Sequence, residues 1–141
     1  MKLSELYNRN EFVMTSEVGP VKGCVRPGDG ETPACLAEAA LLQNHVHAIN
    51  VTDNQSAVMR LGSLAASVGL KQNGIEPIYQ LTCRDRNRIA LQSSLLNTYS
   101  FGIDNVLCLT GDHTSLGDHK SAKAVFDIDS VQLLKIAKGM N

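Results

Sequence analysis

The chain has 141 residues, of which 43% are hydrophobic and 19% charged, and its formal net charge is −1. These values are typical of a single soluble globular domain and argue against a disordered chain. A near-neutral charge and an aromatic content of 4%, with no tryptophan, argue against nucleic acid or an anionic membrane surface as the partner. No apolar stretch approaches the roughly 20 residues that a membrane-spanning helix needs.

The N-terminus, MKLSELYNRNEF, lacks the apolar core of a signal peptide. A cytoplasmic location is therefore expected. Among the four cysteines, Cys83 and Cys108 lie in apolar runs and are expected to be buried. Cys24 and Cys35 flank a loop rich in glycine and proline, so a disulfide or a metal-binding pair remains an alternative there.

In chain order, an amphipathic helix over residues 1–11 is followed by strand-like and helix-like patterns in strict alternation. Aspartates precede three of the helices, and a carboxylate in that position can cap a helix by accepting a hydrogen bond from its first turn. The candidate caps are Asp53, Asp85 and Asp129, and a loop is predicted over residues 22–33. The predicted strands are 12–18, 46–52, 77–83 and 104–109, and the predicted helices are 33–44, 55–73, 86–100 and 130–138.

This alternation predicts an α/β fold with a parallel sheet covered by helices. The strand ends at Thr52, Thr82 and Thr110 lie about 30 residues apart, the length of one βα unit. Two architectures fit: a small open doubly wound sheet, and half of a (β/α)8 barrel, which typically needs about 250 residues. Both place a ligand site at the carboxyl ends of the strands.

Two carboxylates stand at predicted strand ends. Glu17 ends an apolar strand before Gly19, and partial desolvation there would raise its pKa and suit it to act as a general acid. The alternative is a solvated strand end. Asp112 follows Thr110 and Gly111, where it could bind a ligand or place negative charge beside it. The alternative is a turn residue or a helix cap.

Two polar clusters are less specific. Arg84, Arg86 and Arg88 stand at a strand-to-helix turn, where they could hold a phosphate or carboxylate, or could simply be a solvated helix start. The repeated pairs Asp112-His113 and Asp118-His119 could ligate a metal, although a polar loop is the commoner case. No phosphate-binding glycine motif follows a strand.

Four strand-end segments, read together and in order, resemble the flavin-dependent methylenetetrahydrofolate reductase family. They are TSEVGP around Glu17, NVTDN at 50–54, QLTCRDR at 80–86 and GIDNVLCLTGD at 102–112. The resemblance runs from about residue 12 to residue 135. It implies that the chain is one α/β domain over 1–141, built as the first four βα units of a (β/α)8 TIM barrel.

The resemblance also implies a flavoprotein that binds FAD and reduces 5,10-methylenetetrahydrofolate to 5-methyltetrahydrofolate. Glu17 matches the general acid that assists opening of the methylene bridge. By the same resemblance His113 and His119 look like loop residues of the family, so no metal is expected. Asp112 matches an aspartate beside the flavin pyrimidine ring and the folate. The positions that match flavin contacts are Thr52, Gln80, Thr110, Gly111 and Asp112.

Four positions depart from the family pattern. Many members have histidine in place of Gln80, arginine in place of Thr110, and an aromatic-glycine pair in place of 53–54. Thr110 cannot supply a charged contact to phosphate, and Arg84 or Lys123 is the candidate to replace it. The choice between FAD and FMN, and that between NAD(P)H and another electron donor, therefore stay open.

The family's later strands, which complete the barrel, have no counterpart in this sequence. The chain is accordingly expected to be a fragment of a longer reductase, to pair with a second chain that supplies the other half, or to stand alone as a small α/β domain with reduced or no activity. The expected partners are a folate substrate, an electron donor and a homo-oligomer or partner chain. A non-catalytic half-barrel that serves as a binding or assembly module is the alternative function.

Overall fold

The structure, a computed structural model, describes residues 1–26 and 29–140. Its four strands form one sheet in the order β1-β2-β3-β4, and every neighbouring pair is parallel. The predicted loop over 22–33 includes Pro27 and Gly28, which lie outside the described residues. The elements are α1 (Leu3–Asn8), β1 (Thr15–Val18), α2 (Ala34–Leu42), β2 (Ala48–Val51), α3 (Ser63–Gln72), β3 (Pro77–Thr82), α4 (Arg88–Ser100), β4 (Asn105–Leu109) and α5 (Ser130–Gly139).

The strand order decides between the two predicted architectures. A doubly wound sheet reverses its strand order at a switch point, whereas a (β/α)8 barrel adds each parallel strand beside the previous one. The sequential order observed here is that of a partial barrel. The predicted α/β fold with parallel strands alternating with helices is confirmed.

One face of the sheet packs against helices α2 to α5. Side chains alternate between the two faces of a strand, so Glu17, Asn50 and Gln80 lie on the opposite face, which corresponds to the interior of a barrel. The strand side chains buried against the helices are Val18, Ile49, Val51, Tyr79 and Leu81.

Helix α1 covers the amino-terminal end of this interior face. Leu3 and Leu6 pack on Ala48 and Ile78. The Asn105 side chain fixes the start of the helix by accepting a hydrogen bond from the Leu3 amide at 2.9 Å and donating to the Met1 carbonyl at 2.8 Å. The carboxyl ends of the strands are thereby left as the open end of the half-barrel.

The predicted helix starts are partly confirmed. The Asp129 carboxylate accepts from the Gln132 amide at 2.7 Å in a complete capping box at the start of α5. The prediction for Asp85 is wrong, because Asn87 caps α4 by accepting from the Ala90 amide at 3.1 Å. The Asp85 carboxylate is instead bound by the neighbouring arginine.

The helix predicted over 55–73 begins only at Ser63. Residues Gln55–Ala57 form a single 3-10 turn, in which Ser56 and Ala57 have φ of 57° and 58°, preceded by Asn54 at 46°. This left-handed conformation is uncommon outside glycine and cannot continue into an α-helix. The loop after β2 is therefore longer than the helical spacing of its apolar residues indicates.

All four cysteines are free, so the alternative of a Cys24–Cys35 disulfide is wrong. Cys83 is buried as predicted, Cys35 is buried as well, and Cys108 is partly buried. Burial raises the thiol pKa of these three cysteines above the ordinary value. A thiol in that state is a poor nucleophile.

Candidate functional site

Glu17 and Gln80 meet on the open interior face. The Gln80 side-chain amide donates a hydrogen bond to Glu17 Oε2 at 3.1 Å. The two residues come from β1 and β3, and alternate strands supply each layer of side chains inside a (β/α)8 barrel. Glu17 is exposed, which corrects the expectation of partial desolvation, because the described residues leave this end of the face uncovered.

Thr52 directly follows β2 and has a buried hydroxyl with no hydrogen-bond partner. The hydroxyl oxygen lies 3.7 Å from where a side chain on Gly19 would begin, so it stands against the loop after β1. A buried hydroxyl without a partner costs about 1–3 kcal/mol. Such an atom is available to a ligand that reaches the carboxyl end of the sheet.

Gly111 brings the end of β4 close against the end of β3. It has φ of 93°, and a Cβ on it would lie 3.2 Å from the Arg84 Cβ and 3.3 Å from the Thr82 Cβ. Glycine is therefore the residue that fits this turn. The next residue, Asp112, is exposed, and its carbonyl accepts a hydrogen bond from Arg84 at 3.2 Å.

Thr110 directs its hydroxyl toward α5. The hydroxyl donates to Ser130 Oγ at 3.1 Å and accepts from the Ser130 amide at 3.2 Å. A cavity of about 420 Å³ opens beside it, with Gly111, His113 and Phe126 in its wall. The rings of His113 and Phe126 stack with their centroids 6.2 Å apart. Because its hydroxyl is already hydrogen-bonded to Ser130, Thr110 would contact a ligand through its backbone.

The three arginines of the cluster are each paired with an aspartate. The closest nitrogen–oxygen distances are 2.7 Å for Arg84–Asp85, 2.7 Å for Arg86–Asp53 and 2.8 Å for Arg88–Asp127. These pairs disfavour the interpretation of the cluster as an anion-binding site, because the carboxylates already neutralise the guanidinium groups. Arg84 is also buried, so it cannot replace the charge that Thr110 lacks.

Asp53 is the buried centre of a network that the sequence did not reveal. Its carboxylate accepts from the Thr82 amide at 3.0 Å, the Thr82 hydroxyl at 2.9 Å and Arg86 at 2.7 Å. Burial opposes the charge on Arg86, but the hydrogen bond to Asp53 and the attraction of the negative charge around it together outweigh burial and raise the Arg86 pKa. Asp53 thus joins the ends of β2 and β3 and is not the helix cap that was predicted.

Residues of the repeated Asp-His pairs form hydrogen bonds to backbone amides that hold the loop after β4. The Asp118 carboxylate accepts from the Met59 amide at 3.1 Å, and this bond lowers the Asp118 pKa. His113 Nδ1 accepts from the Ser115 amide at 3.2 Å. Within residues 1–26 and 29–140, no group of three or more histidine, cysteine or acidic side chains is placed to hold a metal ion.

Fold and site together define a partial (β/α)8-barrel domain with polar side chains gathered at the carboxyl ends of its strands. The sequence model of the family "Methylenetetrahydrofolate reductase" matches residues 2–139, and the chain belongs to this family. No curated protein matches the chain. Membership indicates a folate-related oxidoreductase, and the family is generally flavin-dependent. No helix in the described part of the chain is long and apolar enough to cross a membrane.

Proposed function

We propose that the chain is the flavin-binding half of a reductase that converts 5,10-methylenetetrahydrofolate to 5-methyltetrahydrofolate. The observation that carries the proposal is the hydrogen bond between Glu17 and Gln80 on the open interior face, in a chain of this family. It sets a carboxyl group and an amide side by side at the end of a half-barrel where ligands bind. The roles of the individual residues stay predictions.

The residues at this end of the sheet fit a flavin. The Thr52 hydroxyl is buried and without a partner, which suits a hydrogen bond to the polar edge of an isoalloxazine ring. The Gly111 turn exposes backbone that a side chain would otherwise shield. We propose FAD as the bound form, with FMN as the alternative. When bound in its reduced state, the flavin supplies the hydride, and the protein supplies binding and orientation.

Glu17 is proposed as the general acid. Its protonated carboxyl group would give a proton to the folate nitrogen that leaves the methylene carbon, while a hydride adds to that carbon. Gln80 would orient the carboxyl group by donating to Oε2. The Asp112 carboxylate would place negative charge beside the pterin and flavin rings.

The sheet has two free edges, β1 and β4, among the residues that the structure describes. Unpaired edge groups are a template for further strands. Near these edges, Leu107 is 40% and Phe12 83% exposed. We propose that further strands, from a partner chain or a second copy, close the interior face, and that NAD(P)H or another donor reduces the flavin. The same open edges support the second candidate function, a non-catalytic assembly module.

The test follows the two half-reactions separately in flavin-loaded protein. Glu17→Gln should abolish folate reduction and leave reduction of the flavin by its donor largely intact. Glu11→Gln, at an exposed glutamate that pairs with Arg9, is the matched control and should change neither. Loss of both half-reactions in E17Q would make Glu17 structural, and undiminished folate reduction would remove its role as acid. A chain that takes up no flavin would favour the assembly module.

A further inference from the structure

Arg84 joins the loops on either side of its own strand. It directly follows Cys83 at the end of β3, and its guanidinium group is buried. Nη2 donates to the Asn54 carbonyl in the loop after β2, and Nη1 donates to the Asp112 carbonyl in the loop after β4, each at 3.2 Å. One side chain therefore bonds to both loops that carry predicted site residues.

Asp85 holds this guanidinium group in a fixed orientation. Its two carboxylate oxygens accept from Arg84 Nε at 2.8 Å and Nη2 at 2.7 Å. These bonds lower the pKa of the Asp85 carboxyl group and raise that of Arg84. A planar guanidinium fork can bind a carboxylate on one side and two carbonyls on the other, which the single ammonium group of lysine cannot reproduce.

The two loops also contact each other directly. A Cβ on Gly117 would overlap the carbonyl group of Ala57, and the Asp118 carboxylate accepts from the Met59 amide. The loop after Asn54 holds Ser56 and Ala57 at φ of 57° and 58°, a conformation that such residues keep when surrounding contacts hold it. Arg84 supplies such a contact, at the carbonyl of Asn54 itself.

We infer that Arg84 is a positioning residue: it ties the Asn54 and Asp112 carbonyls together and so fixes the turn that presents the Asp112 carboxylate to the ligand. The role toward the ligand rests on the proposed function, whereas the coupling of the two loops does not. Because Arg84 is buried, it would act on the ligand through Asp112 and not by direct contact.

Hydrogen exchange of the full chain tests the coupling without any ligand. In Arg84→Lys, amides of 54–60 and 112–118 should exchange about tenfold faster, since opening these loops would no longer break the guanidinium bonds. The matched control is Arg9→Lys, because Arg9 is exposed, pairs with Glu11 and stands beside α1. Unchanged exchange in both loops, or acceleration spread over all four strands, would overturn the inference.

Asp85→Asn keeps the arginine and serves as a second variant should R84K fail to fold. It removes the charge that orients the guanidinium group, from a side chain that is 34% exposed. The same two loops should exchange faster, by a smaller factor. Protection of both loops at the wild-type level would overturn the inference.

A double-mutant cycle on FAD affinity tests the action through Asp112. We expect Arg84→Lys and Asp112→Asn each to raise the dissociation constant about tenfold, and the double variant to bind no more weakly than the weaker single variant. If the two losses of FAD affinity multiply in the double variant, Arg84 does not act through Asp112 and is merely structural. If the wild-type chain binds no FAD, the proposed function fails, and the exchange measurement decides about Arg84 by itself.

Discussion

The unpartnered hydroxyl of Thr52 provides a prediction in which stability and ligand binding change in opposite directions. Thr52→Val replaces the hydroxyl by a methyl group and keeps the shape of the side chain. In the unliganded chain the hydroxyl oxygen is buried and makes no hydrogen bond. Removing it should therefore stabilise the protein, which is unusual for a change in a buried position.

The size of the effect follows from the desolvation of one hydroxyl group. A buried polar group without a partner costs about 1–3 kcal/mol, and water that reaches the site through the open end would reduce this. We expect T52V to raise the free energy of unfolding by about 1 kcal/mol, or the midpoint of thermal unfolding by roughly 2–6 °C. Thr82→Val is the matched control: its hydroxyl donates to the buried Asp53 carboxylate at 2.9 Å, so its loss should cost about 1.5–3 kcal/mol.

Urea unfolding of T52V and T82V without flavin measures the change in the free energy of unfolding. A fluorescence titration measures the affinity for FAD. T52V should bind FAD about two- to tenfold more weakly than the wild type, since one net hydrogen bond is lost. If T52V is destabilised as much as T82V, the Thr52 hydroxyl is bonded in the unliganded protein. The hydroxyl would then not be free to receive a ligand.

Two further predictions concern the turn after β4 and the acid dependence of stability. Gly111→Ala should lower the free energy of unfolding in urea by about 2 kcal/mol or more, because a left-handed turn and two close Cβ contacts both oppose it. The control is Gly74→Ala, where φ is 75° and nothing lies within 4 Å, so the loss should be only about 1 kcal/mol. Equal losses in the two variants would contradict the close packing at Gly111. Asp85 has a pKa below its ordinary 3.8 because Arg84 donates to it, so its stabilising contribution is present above that value and is lost as the pH falls through the lowered one. Asp85→Asn should therefore reduce the fall in unfolding free energy between about pH 6 and pH 2; an unchanged fall would exclude Asp85 as its source.

The strands could be predicted from the sequence because each is an apolar run bounded by polar residues or glycine, whereas their order in the sheet could not be chosen from these runs and came from the structure. All four predicted strands exist, although β1 begins at Thr15 and leaves Phe12 exposed. Local composition does not predict which residues on the interior face of a half-barrel are covered by the rest of the fold and which are exposed to solvent. For that reason the desolvation predicted for Glu17 was wrong.

The long-range contacts of charged residues could not be predicted from local patterns. An aspartate before a helix has several donors within reach once the chain folds, so Asp129 is a cap while Asp85 and Asp53 bind arginines. One signal was available in principle. The ends of neighbouring parallel strands meet, so an aspartate after β2 and arginines after β3 could have been expected to pair.

Uptake of flavin by the purified chain is the most direct measurement of the proposed function. FAD added to the flavin-free protein should show a saturable shift of its visible absorption bands and quenching of its fluorescence. It should also raise the urea midpoint of the wild type more than that of T52V. Absence of both the spectral change and the stabilisation, with the protein folded, would contradict flavin binding by this half-barrel.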